Sequence, residues 1–536
     1  MNTSILQSWQ DEWPKVKSTN RVATGEGVVD ESAFNTIEVD KLFDSVNHAT
    51  THIGQSTLYR SLSRPIETLE AVQDKQSAVA ELDGNEALRN QVQHLVDNAA
   101  EKEQRLFQLL FGRFLGALGS GKEDYEIEGY GYLPYKRGTL LFLDMVDDAQ
   151  KIESVKSNYL KTTLETITNY ADSRAYSLMQ GPVYKKEHSI QCKKDRVGNF
   201  SPAIIFTPKL FKPVFIFSVL VVLWLVTQFN PLSASDVPFS IGFSPSLAIF
   251  IFPMALLYIP VIGSFDRDSC IYPLRDEFKA SPDVQAALDA LGKLDELLSF
   301  LKYRDAFGGT MILPKFKSSK HHQIKLTDAR NPILAKNNSD YVGNNFTLDK
   351  EKLVFITGPN SGGKTAFCKT VTQIQLLAQI GSFVPAKSVT LTVADRIFYQ
   401  VPEISHLDDG EGRFGTELKR TKNIFLASSA KSLVVLDELS EGTTFEEKLE
   451  TSRNILDGFY AKANSTILIT HNHQLVDDFL NREVGIARQV EFAKDAPTFK
   501  LIKGISRVSH AARVAKKIGF SKEDIAEYLN KESDKQ

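Results

Sequence analysis

The stretch LVFITGPNSGGKTAF, residues 353–367, decides how the C-terminal half of this chain folds. Leu353 to Thr357 read as a buried strand, the glycine-rich run after them as a tight turn, and Lys364 onward as the start of a helix. Within the turn stands the pattern Gly-x-x-x-x-Gly-Lys-Thr, met by Gly358, Gly363, Lys364 and Thr365, with Pro359, Asn360, Ser361 and Gly362 between them. Glycines allow successive backbone N–H groups to curl around an anion, and the helix N-terminus adds partial positive charge. The pattern therefore predicts a cradle for the phosphates of ATP. Lys364 would reach the β- and γ-phosphates, and the Thr365 hydroxyl would hold Mg²⁺.

Working outward, two further apolar runs end in polar side chains. SLVVLDEL (432–439) places Asp437 and Glu438 at a strand end. After a phosphate-binding turn, an acidic residue there is expected to bind Mg²⁺, and the next glutamate to orient the attacking water. STILITH (465–471) ends in His471, placed to sense the γ-phosphate. Strands alternating with helices from about residue 313 predict an α/β P-loop ATPase domain over 313–536.

The N-terminal half reads differently. Residues 1–35 form a polar lead-in, and MNTSILQSWQDEWPKVK lacks the apolar centre of a signal peptide. From Val39 to about Ala100, apolar residues recur at helical spacing, broken at Pro65. EIEGYGYLPYKRG (126–138) reads as a loop or short strands, and 142–180 as one long helix. Ser281 and Pro282 make a helix start. A helical domain is thus expected over 36–312. Two uncharged runs interrupt it, one containing VFIFSVLVVLWLV (214–226), the other centred on SLAIFIFPMALLYIPVIG. Each is long enough to match the roughly 20 apolar residues of a membrane span. The expectation is a two-helix transmembrane hairpin at about 213–230 and 245–263, with basic flanks holding both large remaining parts in the cytoplasm.

Composition is that of an ordinary globular chain, 42% hydrophobic and 24% charged, with a net charge of −3. A chain that wraps nucleic acid electrostatically usually carries a basic excess, so the charge does not support DNA as a partner. The three cysteines, Cys192, Cys270 and Cys368, have no zinc-site spacing.

The motifs together resemble those of the MutS mismatch-repair ATPases. GPNSGGKT is similar to the family's GPNMGGKS, LVVLDELSEGTT (433–444) to its Asp-Glu strand and Gly-Thr turn, and ITHNHQL (469–475) to its ATH segment. IGSFVPA (380–386), DRIF (395–398) and ARNPIL (329–334) also match family runs. YVGNN (341–345) lies where the family places an aromatic and an Asn near adenine, which implies Tyr341 and Asn344 as base contacts. GISRVSHAARVAKKIGF (504–520) resembles a stretch that helps pair two ATPase domains, implying a homodimer. IGQSTLYRSLSRPIETLEAVQDKQSAVAEL (53–82) and LGKLDELLSFLKY (291–303) look like parts of the family's core, or lever, domain. The implied fold class is a MutS/ABC-like P-loop domain plus an all-α lever domain interrupted by the hairpin.

The departures are as informative. The resemblance implies no mismatch-recognition domain before the lever-like region, and the apolar hairpin is expected where the family carries its DNA clamp. In EGRFGTELKR (411–420), Gly412 and Arg413 replace a Ser-Thr pair whose serine reaches the partner's nucleotide, so Arg413 is a candidate substitute. No LSGGQ-like stretch precedes the Asp437 strand, which argues against an ABC transporter. Three outputs stay open: action on DNA in repair or recombination, an ATP-driven membrane process, and a nucleotide-gated scaffold.

Overall fold

The computed structural model describes residues 26–116, 126–128, 132–186, 189–195, 204–206, 267–359, 362–402, 412–439, 444–493, 496–507 and 518–533. They divide into two compact units. One holds the described residues of 49–57 and 82–296, and the other those of 26–48, 58–81 and 297–533.

The second unit is built on a six-stranded sheet. Its strands are β1 (Leu353–Thr357), β2 (Ile397–Gln400), β3 (Leu433–Asp437), β4 (Ser465–Ile469), β5 (Ile486–Ala493) and β6 (Ala496–Lys503), in the order β2-β3-β4-β1-β5-β6. All neighbours run parallel except β5 and β6. Parallel strands need helical crossovers, and these cover the sheet and make its strands apolar throughout. All five residues of β1 and of β4 are buried accordingly. The crossovers are α1 (Lys364–Gln379), α2 (Gly412–Ala427), α3 (Phe445–Lys462) and α4 (His473–Asn481). Phe355, Val434, Leu436 and Leu468 of the sheet form one core with Ile424, Leu456, Phe459 and Phe479 of α2 to α4. A smaller four-stranded sheet joins Lys315–Phe316, Ser388–Leu391, Ile324–Ala329 and Asn344–Leu348 in that order.

The helix that follows the glycine-rich turn is unusually polar for a buried one. Gln373, Gln375 and Gln379 are all enclosed, and buried amides must be paired. Gln373 Nε2 donates to Ile37 O at 2.7 Å, and Gln379 Nε2 donates to Ile66 O and Ala394 O at 3.0 Å each. The early part of the chain is thereby stitched to α1. Upstream, Val28 O accepts from Ile397 N at 2.7 Å, and Val29 bridges Ile397 in parallel, extending the sheet beyond β2. Val28, Val29 and Phe34 are buried, within the stretch expected to be a polar lead-in.

The first unit is largely helical. Glu86–Phe111 is 26 residues long, and Arg275 closes its C-terminus by donating to Leu109 O and Gly112 O at 2.7 Å each. Instead of one helix over 142–180 there are three, Tyr132–Ala149, Asn158–Asn169 and Arg174–Gln180. Ser173 caps the last of them, accepting from Tyr176 N. A three-stranded antiparallel sheet, Ser189–Gln191, Val183–Lys186 and Ile204–Phe206, also belongs here, so the unit is not all helix.

At the junction of three helices lie two buried carboxylates. Asp295 accepts Thr50 N at 3.0 Å, Thr51 N at 2.7 Å and the Thr51 hydroxyl at 2.7 Å. Glu103 accepts His52 N at 2.9 Å and Ile53 N at 2.8 Å. Together they accept the Thr51, His52 and Ile53 N–H groups at the start of helix His52–Ser63, and the Thr51 hydroxyl accepts Gly54 N at 2.8 Å. Gly54 is required beside them, since a Cβ there would fall 2.1 Å from Asp295 Oδ2.

The transmembrane hairpin expected at about 213–230 and 245–263 is corrected, and with it the membrane as a partner and the multi-pass placement. No helix among the described residues is long and apolar enough to cross a membrane. The long helix Glu86–Phe111 is apolar along one stripe, through Leu88, Val92, Leu95, Val96 and Ala99, with exposed Asp97, Glu101 and Arg105 elsewhere. Such a stripe suits a protein core rather than lipid on all sides. The two apolar runs lie outside the described residues.

Candidate functional site

The turn between β1 and α1 has the backbone its glycines permit. Gly358 lies at φ 124° and Gly363 at φ 84°, values costly for any residue with a Cβ. At Gly362 a Cβ would come within 3.0 Å of the Val490 methyl groups on β5. Asn360 and Ser361 lie outside the described residues, and Pro359 O accepts from Gly362 N at 3.0 Å.

Lys364 opens α1 and is only 2% exposed. Its ammonium donates to Gly358 O at 2.5 Å, folding back over the turn. Burial pulls its pKa below the ordinary lysine range, while the charges of Glu438 and Asp437 oppose that shift. Thr365 Oγ1 donates to Asp437 Oδ2 at 3.1 Å, which joins the start of α1 to the end of β3. A hydroxyl and a carboxylate side by side form the hard-oxygen pair that Mg²⁺ takes from protein when phosphates and waters supply the rest.

Glu438 follows at φ 59°, a left-handed conformation in which a non-glycine residue is strained. Its backbone N–H donates to Ile469 O at 2.9 Å, fixing it beside the end of β4. Its carboxylate accepts His471 N at 3.1 Å on Oε1 and the Thr470 hydroxyl at 3.3 Å on Oε2. Lys448 Nζ lies 3.9 Å from Oε2, and His471 Nε2 lies 3.7 Å from Oε1. The His471 side chain is half-exposed, so the firmer contact this residue makes with Glu438 is through its main chain.

Beside the turn is a cavity of about 270 Å³ lined in part by Tyr341, Asn344, Gly362, Gly363, Phe367 and Phe499. Tyr341 lies near Thr370 of α1 and the Asn331 backbone, and burial pushes its pKa up. Asn344 has both ends of its amide engaged. Nδ2 donates to Phe499 O at 2.9 Å, and Oδ1 accepts Leu501 N at 2.8 Å. Here Asn344 holds β6 in place, and Phe499 with it.

Lys364, Thr365, Asp437, Glu438 and His471 are thus brought together at the C-terminal ends of β1, β3 and β4. Tyr341 and Asn344 line the adjoining cavity. Arg413 lies in α2, with its side chain outside the described residues. Three contributors were not read from the sequence. Phe499, at φ 59° and 52% exposed, sits over Gly363; Val490 backs the glycines; Lys448 approaches Glu438.

Residues 354–533 match the family model of MutS domain V. The chain is similar to proteins named DNA mismatch repair protein MutS. The one from Prochlorococcus marinus is 32% identical over 253 residues, 45% of this chain and 28% of that protein. That from Flavobacterium psychrophilum is 33% identical over 248 residues, 44% and 28% of the two chains. For Clostridium beijerinckii the figures are 33% over 208 residues, 37% and 22%. The match therefore spans under a third of these relatives' lengths. The likeness thus lies in the C-terminal region, where residues 354–533 are similar to MutS domain V.

Proposed function

We propose that this protein binds ATP with Mg²⁺ in the turn 358–365 and hydrolyses it, and that this turnover drives a MutS-like action on DNA. The observation that carries the reading is the meeting of Thr365 with Asp437 at 3.1 Å beside Lys364 and Glu438. Backbone N–H groups of the turn cradle the phosphates, and the Lys364 ammonium leaves Gly358 O to meet their charge. Thr365 and Asp437 would hold Mg²⁺, which supplies charge neutralisation at the β- and γ-phosphates. Glu438, anchored by His471 N and Thr470, orients a water in line with the γ-phosphorus and takes up its proton. His471, on the same anchor, registers whether that phosphate is present.

The adenine is assigned to the cavity beside Gly363, between Tyr341 and Phe499. Truncating an aromatic that covers a base removes about 1 to 3 kcal/mol of stacking, and the exposed site here puts the loss toward the low end. Phe499→Ala is expected to weaken ATP binding about tenfold, read by titrating a fluorescent ATP analogue. Unchanged affinity would remove Phe499 from the site.

Pairing of two such domains is supported by the exposed Ile518, Phe520, Ile525, Tyr528 and Leu529 near the C-terminus, an apolar set that a second copy could cover. A second reading, a nucleotide switch without DNA, is favoured by the net charge of −3. Phosphate release measured with and without duplex or branched DNA separates the two. Stimulation by DNA supports the first reading, and turnover indifferent to DNA supports the second.

A further inference from the structure

We propose that Lys448 is a positioning residue for Glu438, holding the carboxylate in the orientation from which it can direct a water. This rests on the hydrolytic reading above. Lys448 stands one turn into α3, whose first turn carries Glu446 and Glu447. Acidic residues suit that end of a helix, where the macrodipole is positive, and a lysine there is electrostatically out of place. What it faces accounts for it. The Lys448 side chain is only 22% exposed, and its ammonium lies 3.9 Å from Oε2 of Glu438, whose side chain is 11% exposed.

A carboxylate so nearly enclosed needs charge or hydrogen bonds around it to stay in place. Oε1 has a firm donor in His471 N, whereas Oε2 has the longer bond from the Thr470 hydroxyl. Lys448 lies on the Oε2 side. Among the described residues, the charged groups near Glu438 include Lys364 on α1, Asp437 next to it on β3, and His471 after β4. Lys364 is committed to the phosphate turn through Gly358 O. Lys448 approaches from a different element, α3, so its effect on Glu438 is separable from phosphate binding.

The test is a set of four full-length variants: Lys448→Met, Lys448→Arg, Glu438→Gln, and the double variant Lys448→Met/Glu438→Gln. ATP affinity and single-turnover hydrolysis are measured for each. Lys448→Met is expected to lower the hydrolysis rate about tenfold, a fraction of what a positioned base contributes, and to leave ATP affinity within about twofold. Lys448→Arg should restore most of the rate. In the Glu438→Gln background, Lys448→Met should cost nothing further, because two residues acting as one unit are not additive. A loss of ATP affinity in Lys448→Met would overturn the proposal by making Lys448 a phosphate ligand. An unaltered rate, or equal losses in both backgrounds, would overturn it as well. If instead the wild type bound or hydrolysed no ATP, the reading of the site itself would fail, a result distinct from any of these.

Discussion

Glu438→Gln is expected to abolish turnover, lowering hydrolysis by about 10²- to 10³-fold, in the range a positioned general base contributes, while ATP still binds with affinity within about twofold. The substitution keeps the shape of the side chain. Glutamine Oε1 can still accept His471 N, and the Thr470 hydroxyl can turn to accept from the new amide, since a hydroxyl serves in either role. The backbone cost of φ 59° is the same for both residues. What disappears is the negative charge that directs a water and takes its proton. The phosphate cradle, Lys364 and the Thr365–Asp437 pair are untouched, so binding and chemistry separate. Equilibrium binding of a fluorescent ATP analogue and phosphate release from the same preparation check both halves. Turnover within about twofold of wild type would remove Glu438 from the chemistry.

The second large effect is on stability. Asp295→Ala is expected to cost about 3 to 5 kcal/mol, the range for breaking a buried charge-bearing network. Three donors lose their acceptor, Thr50 N, Thr51 N and the Thr51 hydroxyl, and the opening turn of helix His52–Ser63 goes with them. Urea denaturation followed by circular dichroism reads the loss, and a change under 1 kcal/mol would contradict the assignment. The same junction predicts a pH dependence. Burial, with the charge of Asp295, raises the Glu103 pKa from 4.5 to about 7, against the pull of its two backbone donors. The folded state therefore holds a proton that the unfolded state releases at lower pH. Glu103's contribution to stability is full below about pH 4.5 and is lost as pH rises through about 7. In Asp295→Ala one of the two raising causes is gone, and the decline between pH 5 and 8 should be shallower than in wild type.

Much of the C-terminal unit was legible in the residues. Apolar runs of strand length, each ending in a chemically committed residue, carried β1, β3 and β4 and the order of their motifs. That order puts Lys364, Asp437 and Glu438 at one end of a parallel sheet, because crossover helices return the chain to the same edge. What the sequence did not disclose depends on neighbours far along the chain. Nothing in YVGNN shows that the Asn344 amide is consumed by β6, or that Phe499 is set over Gly363 as a result. Lys448 reads as one more charge on a helix until its distance to Glu438 is known. Val28 and Val29 sit in a polar stretch whose composition hides their pairing with the edge of the sheet. The membrane expectation came from two uncharged apolar runs and their basic flanks, and such runs do not by themselves say whether a helix faces lipid.

The most direct test of the central claim, that the turn around Lys364 wraps the phosphates of ATP, is isothermal titration of the full-length protein with ATP in magnesium, beside Lys364→Ala. The account predicts saturable binding by the wild type and affinity weaker by about 100-fold or more in the variant, as expected from losing a charge-assisted contact to phosphate in a desolvated site. Absence of binding by the wild type, or equal affinity in the two proteins, would contradict it.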